Sequence, residues 1–468
     1  MIYDIAVIGA GSGGLTVAAA AAQFGRSVIL FEKGKMGGDC LNYGCVPSKA
    51  LIAASKQAHA MRTAGKYGIE AAGPKVDFKK VQAYVRSVIA AIEPNDSVER
   101  FEKLGVKVVS HAAKFIDATS VEAAGTVYKA RRFVIATGSR AAIPPIPGLA
   151  DVAYLTNETV FENTVLPKHL IIIGGGPIGM ELAQAHRRLG SEVTVLEAFD
   201  PLAKDDPELT GIVLDSLRAD GIKIVARAAI KKISKANAGF AVDTETNGVI
   251  TGSHLLVAAG RVANVEGMNL EAAGIAYTTR GITVDAGLRS SQRHIYAVGD
   301  VAGGLQFTHV AGYQAGLVIR NALFRLPVKN RTDIIPWVTY TDPELAHVGM
   351  AEAAARQEFG GAVKVLRWPF HDNDRAQAEG KATGLIKAVI GKGGRILGVS
   401  IVGAQAGELI QPWVLAMGSG LKIKALAGMV APYPTLGEIN RRVAVSYYSG
   451  LASNAYVRGA LRLLGKLG

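Results

Sequence analysis

The sequence predicts an α/β protein in which one strand–turn–helix–strand unit occurs twice, ahead of a smaller α+β module. Three observations lead there. The stretches Val7-Ile8-Gly9-Ala10-Gly11-Ser12-Gly13-Gly14 and Ile172-Ile173-Gly174-Gly175-Gly176-Pro177-Ile178-Gly179 each close a β-branched strand and open a helix of small residues. Each helix leads to a second strand ending in an acid, Glu32 in one unit and Glu197 in the other, at identical spacing from the first glycine. Beyond a proline-bounded stretch from Pro327 to Pro336, alternating segments such as Gly384-Leu385-Ile386-Lys387-Ala388-Val389-Ile390 set off the third module.

The two units share one physical logic. The first glycine (Gly9, Gly174) allows a tight turn, the second (Gly11, Gly176) lets backbone approach a pyrophosphate, and the third (Gly14, Gly179) lets helix pack on strand. The helix N-terminus offers unpaired N–H groups and a positive dipole end to the phosphates. Glu32 and Glu197 are placed to accept hydrogen bonds from ribose hydroxyls. A lone glycine fingerprint is weak evidence, but two in full context, each with its acid, point to two Rossmann-like dinucleotide-binding domains. Glu197 repels a 2′-phosphate and the following Ala198-Phe199-Asp200 contains no arginine, so NAD is expected over NADP at the second site.

Three further strand ends carry glycine: Phe133-Val134-Ile135-Ala136-Thr137-Gly138, Leu256-Val257-Ala258-Ala259-Gly260-Arg261 and Ile295-Tyr296-Ala297-Val298-Gly299-Asp300. The last runs on into a helix near Thr308 and His309. The proline-rich 143–148 reads as a boundary before the second nucleotide domain.

With 468 residues, 49% hydrophobic and 19% charged, the chain has the composition of a globular multidomain protein. No apolar run reaches the ~20 residues of a membrane span, and no secretory signal opens the chain, so a cytoplasmic location is expected. A net charge of +13 raises nucleic acid as a partner, but no helix-turn-helix, zinc-finger or RNP pattern supports it. After Glu438 no acidic residue occurs, while Arg441, Arg442, Arg458, Arg462 and Lys466 do. The stretch from Val457 to Leu467 reads as a surface helix or frayed tail, with a weak membrane-surface contact as the alternative.

The chain has two cysteines, Cys40 and Cys45, in Gly37-Gly38-Asp39-Cys40-Leu41-Asn42-Tyr43-Gly44-Cys45-Val46-Pro47-Ser48-Lys49. In a reducing compartment a close pair is more readily catalytic than structural. A zinc reading lacks two further ligands at suitable spacing, and no metal site is expected.

Together these residues resemble the FAD-dependent pyridine nucleotide–disulfide oxidoreductases (class I), with dihydrolipoamide dehydrogenase-like and mercuric reductase-like members. The likeness covers essentially the whole chain. It implies an FAD-binding domain in two parts (1–148 and 271–334), an NAD-binding domain (149–270) and a C-terminal α+β dimerisation domain (335–468). It implies that FAD is held by Gly9, Gly11, Ser12, Gly13, Gly14, Glu32, Lys33, Gly38, Asp39, Lys49, Ala113, Ala136, Thr137 and Gly138. Asp300 is expected on the ribityl and phosphate region, and Phe307, Thr308 and His309 at a helix end aimed at the flavin. NAD is expected on Gly174, Gly176, Pro177, Ile178, Gly179, Glu197, Ile230, Ala259, Gly260 and Arg261, with NADH preferred over NADPH.

In the family's chemistry, Cys45 faces the flavin and Cys40 the substrate, while Lys49, on the same helix as Cys40, stands at flavin N5 with Glu181 as its partner. Electrons would pass from NADH to FAD, to Cys45, and from Cys40 to an acceptor by thiol–disulfide exchange. One departure stands out. The family's His-Pro-Thr-x-x-Glu motif reads here Tyr433-Pro434-Thr435-Leu436-Gly437-Glu438, with tyrosine where a partner subunit's histidine acts as base. An unperturbed phenol, with pKa ~10, is a poor proton acceptor at neutral pH. Mercuric reductases are similar in carrying tyrosine there, but they end in a cysteine pair this sequence lacks. The reading is a homodimeric oxidoreductase acting on a small or lipoyl-type dithiol or disulfide. The alternatives are a mercuric-reductase-like metal-ion or quinone reductase and a membrane-docked electron-transfer subunit. The polar loop Phe370-His371-Asp372-Asn373-Asp374-Arg375-Ala376 is a candidate for substrate selection or simply solvated.

Overall fold

The computed structural model describes residues 1–236 and 239–466. The last residue of the basic C-terminal stretch, Leu467, lies outside them. The chain folds as two compact units, residues 1–201 with 221–330, and residues 202–220 with 331–468.

In the first unit, the strands Ile295–Ala297, Phe133–Ile135, Ile5–Ile8, Val28–Phe31 and Val106–Val109 pair side by side, all parallel. Most of their side chains are fully buried, as continuous Val/Ile/Phe runs require when a parallel sheet is covered on both faces. The helices Ser12–Gln23 and Thr308–Phe324 cover one face through Leu15, Val17, Ala315 and Val318. A four-stranded sheet (Ile2–Tyr3, Thr126–Ala130, Ser120–Ala123, Lys114–Asp117) closes the other through Phe115 and Val121.

A second parallel sheet in the same unit runs Lys223–Val225, Glu192–Leu196, His169–Ile173, His254–Val257. It is backed by the three-stranded meander of Ile230–Ala236, Gly239–Thr244 and Gly248–Gly252. The helix Pro177–Leu189 follows its central strand and packs along Cys45–Arg62. Arg62 ties the two helices by a short hydrogen bond to the carbonyl of Arg188.

The second unit is an antiparallel sheet ordered Pro336–Thr339, Glu344–Gly349, Ile396–Gly403, Leu385–Ile390, Lys364–Pro369. The fully buried Trp413 anchors its helices, its indole N–H donating to Asn440 Oδ1 at 2.8 Å.

The packing places two segments of the expected 149–270 domain elsewhere. Ala263, Val265, Met268 and Leu270, expected in the domain ending at 270, lie in the core of the first sheet with Ile8 and Phe31. The strand Arg261–Ala263 pairs antiparallel with Ser139–Ala141, so the chain returns to that core earlier than the sequence suggested. The helix Pro207–Ala219, also expected within 149–270, belongs to the second unit. Its apolar stripe of Leu209, Val213 and Leu217 is legible in sequence, but a stripe does not say which surface it covers. Among the described residues no helix is long and apolar enough to cross a membrane.

Candidate active site

The two glycine turns are near copies. A Cβ at Gly9 would stand 2.5 Å from the Ala136 carbonyl oxygen, and one at Gly14 would stand 1.9 Å from that of Gly9. At Gly11 it would meet nothing within 4 Å. The second turn repeats this: 2.3 Å to the Ala258 oxygen at Gly174, 2.0 Å to the Gly174 oxygen at Gly179, and nothing within 4 Å at Gly176. The outer glycines are thus demanded by the protein's own backbone, and the middle ones leave room for a ligand. Gly11 and Gly176 both precede helix N-termini that lack a side-chain cap, which leaves amides for phosphate oxygens.

The two acids are placed alike. Glu32 accepts from the amides of Ala10 at 2.6 Å and Gly34 at 2.7 Å. Glu197 accepts from those of Gly175 at 2.5 Å and Phe199 at 2.8 Å. Each carboxylate keeps lone pairs for ribose hydroxyls. The 198–200 segment has no arginine, yet Arg227 folds back beside it and pairs with Asp200 at 3.1 Å. Sequence spacing held no sign of that neighbour.

The cysteines sit against the first turn. Gly37 donates its amide to the Ala10 carbonyl at 2.9 Å, and a Cβ on Gly38 would come within 2.8 Å of Gly11 Cα. Cys40 lies in the short helix Gly38–Asn42, which stops at Tyr43 (φ −139°, ψ −2°). A new helix, Cys45–Arg62, then begins. Lys49 is therefore not on the helix of Cys40, contrary to the sequence reading; the chain breaks at Tyr43-Gly44, where a Cβ on Gly44 would crowd Asp39. Pro47 falls in the first turn of the second helix, where its missing N–H costs no bond.

Cys45 Sγ lies 3.4 Å from Thr308 Oγ1, at the start of Thr308–Phe324. The Cys45 thiol is held down at about 6, by the hydrogen bond from Cys40 first, then by the Thr308 hydroxyl and the Lys49 ammonium. Cys40 is pushed up by that same bond and by burial. Both shifts favour negative charge on Cys45 over Cys40 in the reduced pair. Lys49 Nζ also meets Glu181 Oε2 at 2.9 Å, and the Glu181 side chain is only 7% exposed.

A polar cluster links the remaining motif ends. Arg261 reaches Asp39 at 3.2 Å and Asp300 at 3.7 Å, and donates from Nε to Ser139 Oγ at 2.7 Å. Ser139 donates to Asp300 at 2.5 Å, and buried Asn157 donates to Asp39 at 2.9 Å. Burial pushes the Asp300 carboxyl up, against Ser139 and Arg261, which lower it. Arg261, expected on the NAD side, is thus committed to the acids of the first module. Ser139 and Asn157 escaped sequence reasoning because neither belongs to a motif.

Of the other expected residues, Thr137 donates to the Asn264 carbonyl at 2.8 Å beside Gly138 (φ +68°). Ser12 and Gly13 start the first helix, and Pro177 and Ile178 the second. Phe307 precedes Thr308 and stacks on His309 at 5.3 Å. Ala136 is buried at its strand end, while Lys33, Ala259 and Gly260 are exposed. Ala113 packs beside Ile8 and Phe31, so its backbone alone can meet a nucleotide, and Ile230 packs partly on the second module's core.

In the second unit Tyr433 is 69% exposed and donates its hydroxyl to Asp374 at 2.8 Å. That bond raises the phenol further above its ordinary value. Glu438 pairs instead with Arg442 at 3.1 Å. No group of three or more potential metal ligands occurs among the described residues.

Residues 3–315 match the model of the family described as pyridine nucleotide-disulphide oxidoreductase, and 335–444 match that family's dimerisation domain. The chain belongs to this family. A dihydrolipoyl dehydrogenase of Geobacillus stearothermophilus is 36% identical over 94% of both chains. A mercuric reductase of Streptomyces lividans is 34% identical over 96% of this chain and 97% of its own. Among solved structures, LpdA from Mycobacterium tuberculosis superposes with a TM-score of 0.88 at 27% identity, over 95% of this chain and 100% of that one. The HOCl-induced flavoprotein disulfide reductase RclA of Escherichia coli gives 0.85 at 28% identity, over 95% and 99%. As a pyridine nucleotide–disulphide oxidoreductase the protein is an enzyme of the FAD- and NAD(P)H-dependent type, and its dimerisation domain makes it a homodimer. Both glycine turns fit a dinucleotide, on the open middle glycine of each.

Proposed function

We propose that Cys40 and Cys45 form the redox centre of a reductase or dehydrogenase acting on a small dithiol or disulfide, lipoamide-like before glutathione-like, with NADH as the preferred nucleotide in a reducing, cytoplasmic setting. The carrying observation is the asymmetry of the pair. Cys45 Sγ lies against Thr308 Oγ1, and its thiolate is favoured by that hydroxyl and by Lys49, while Cys40 lines an open cleft of about 530 Å³ with Ser12, Thr16, Arg100 and Phe101. Bound FAD supplies the two-electron relay between the nicotinamide and this pair.

On the protein side the exchange balances as follows. The Cys40 thiol gives its proton to the hydrogen-bonded Cys45 thiolate as its sulfur attacks one sulfur of the substrate disulfide; that bond breaks, and the leaving thiolate takes this proton from Cys45. The Cys45 thiolate then attacks the Cys40 sulfur, closing Cys40–Cys45 and releasing the second half as a thiolate that takes a proton from solvent. The substrate gains two electrons and the pair loses them. Glu197 supports the preference for NADH, since it would repel a 2′-phosphate.

Anaerobic NADH should release two alkylatable thiols in the holoenzyme, and Cys45→Ser should prevent that release. Disulfide turnover surviving in Cys40→Ser would sink the proposal. Steady-state turnover with lipoamide, glutathione disulfide, mercuric ion and quinones ranks the acceptors, with NADPH as control. The Tyr433–Asp374 bond favours one second reading, a metal-ion or quinone reductase, because the phenol is a donor and not a base.

A further inference from the structure

The helix Ala455–Leu464 has no buried residue. It is nevertheless a built helix: Asn454 caps it, accepting from the amides of Tyr456 at 2.9 Å and Val457 at 3.2 Å. At 3.6 residues per turn, Tyr456, Val457, Ala460, Leu461, Leu463 and Leu464 share one half of its surface. Tyr456 is 90% exposed, Leu461 61%, Leu463 66% and Leu464 58%. The opposite half carries Arg458 and Arg462, with Lys466 one turn further on. None of these three cations pairs with a carboxylate among the described residues, and no acid follows Glu438 in the sequence.

We propose that this helix lies on an anionic lipid surface, apolar half down and cations at headgroup level. Charge complementarity selects that occupant. A second copy of the helix would bring three more cations to the rim of the contact, whereas an anionic leaflet supplies the opposite sign at every orientation. Ten residues are too short to span a bilayer but sufficient to rest in its interface, with an aromatic ring at the boundary. The chain's +13 charge adds a longer-range attraction of the same sign. The inference stands apart from the redox reading and survives or fails without it.

The test is co-sedimentation of the purified holoenzyme with vesicles of phosphatidylglycerol in phosphatidylcholine, against phosphatidylcholine alone. Binding should require the anionic lipid and weaken as salt rises. Arg458→Gln/Arg462→Gln/Lys466→Gln should weaken it roughly hundredfold at low salt. Leu461→Asp/Leu464→Asp should remove it, with NADH turnover and dimer mass unchanged in both variants. Equal binding to both vesicle types, no binding, or an unaltered triple-Gln variant would overturn the proposal. So would conversion of the Leu461→Asp/Leu464→Asp variant to a monomer in light scattering, which would assign the helix to the subunit interface.

Discussion

Lys49 serves two anions, the Cys45 thiolate and the Glu181 carboxylate. Replacing it with methionine removes one cause that lowers the Cys45 thiol. The pH at which the reduced pair becomes half thiolate, read from iodoacetamide labelling, should move from about 6 toward the ordinary thiol range. An unchanged profile would remove Lys49 from the electrostatics of the pair. Tyr433 offers a second test. Tyr433→His restores an imidazole near its working pKa and should raise dihydrolipoamide oxidation on the order of a hundredfold. Asp374→Ala should lower the pKa of the phenol, followed by ultraviolet titration, because the bond that raises it is gone. What the sequence disclosed at this scale was local: glycines, terminal acids and the cysteine pair declare themselves by spacing. Ser139 and Asn157 did not, and Asp374 stood out only as part of a polar loop, because each gains its role from a contact dozens of residues away or more.

At the scale of elements, the helix Pro207–Ala219 is tied into the C-terminal module by charge. Lys387, 5% exposed, meets Asp206, Glu208 and Glu352 at 2.7, 2.8 and 2.7 Å, and Arg367 joins Glu208 at 2.8 Å. Asp206 also caps the helix by accepting from the Glu208 amide. Lys387→Met leaves the buried Asp206 carboxylate short of a cation and should cost roughly 3–5 kcal/mol in chemical denaturation of the module. Glu352 is held down at about 2, by the Lys387 hydrogen bond first and Arg356 next. Its stabilising contribution is full above the ordinary carboxylate range and is lost as pH falls toward 2. The acid limb of the stability curve should therefore flatten in Lys387→Met. The helix's amphipathic pattern was plain in sequence, but its destination depends on residues more than a hundred positions away. The break at Tyr43-Gly44 was hidden for a different reason: four residues between the cysteines are compatible with one helix or two.

For the whole molecule, the fold class was readable because a duplicated nucleotide unit carries its own punctuation, and a family resemblance spanning the chain supplied the dimer. The order in which the sheets close was not readable, since Ala263 to Leu270 return to the first core without any motif. The helix Cys45–Arg62 connects the two nucleotide modules directly, one end at the thiols and the other at Arg188. One cation, Lys49, stands there between two anions. Glu181 sits one turn into the helix that opens at the second glycine turn, so charge gained on Cys45 by reduction competes for the same ammonium. By thermodynamic reciprocity, NAD⁺ affinity and the midpoint potential of the pair should then shift together, on the order of tenfold in dissociation constant between oxidised and reduced enzyme. Fluorescence titration of NAD⁺ should show that difference, and Glu181→Gln should erase it. The enzyme would then sense its own electron load through the grip on its nucleotide, releasing or retaining the spent carrier according to whether the thiols are already full.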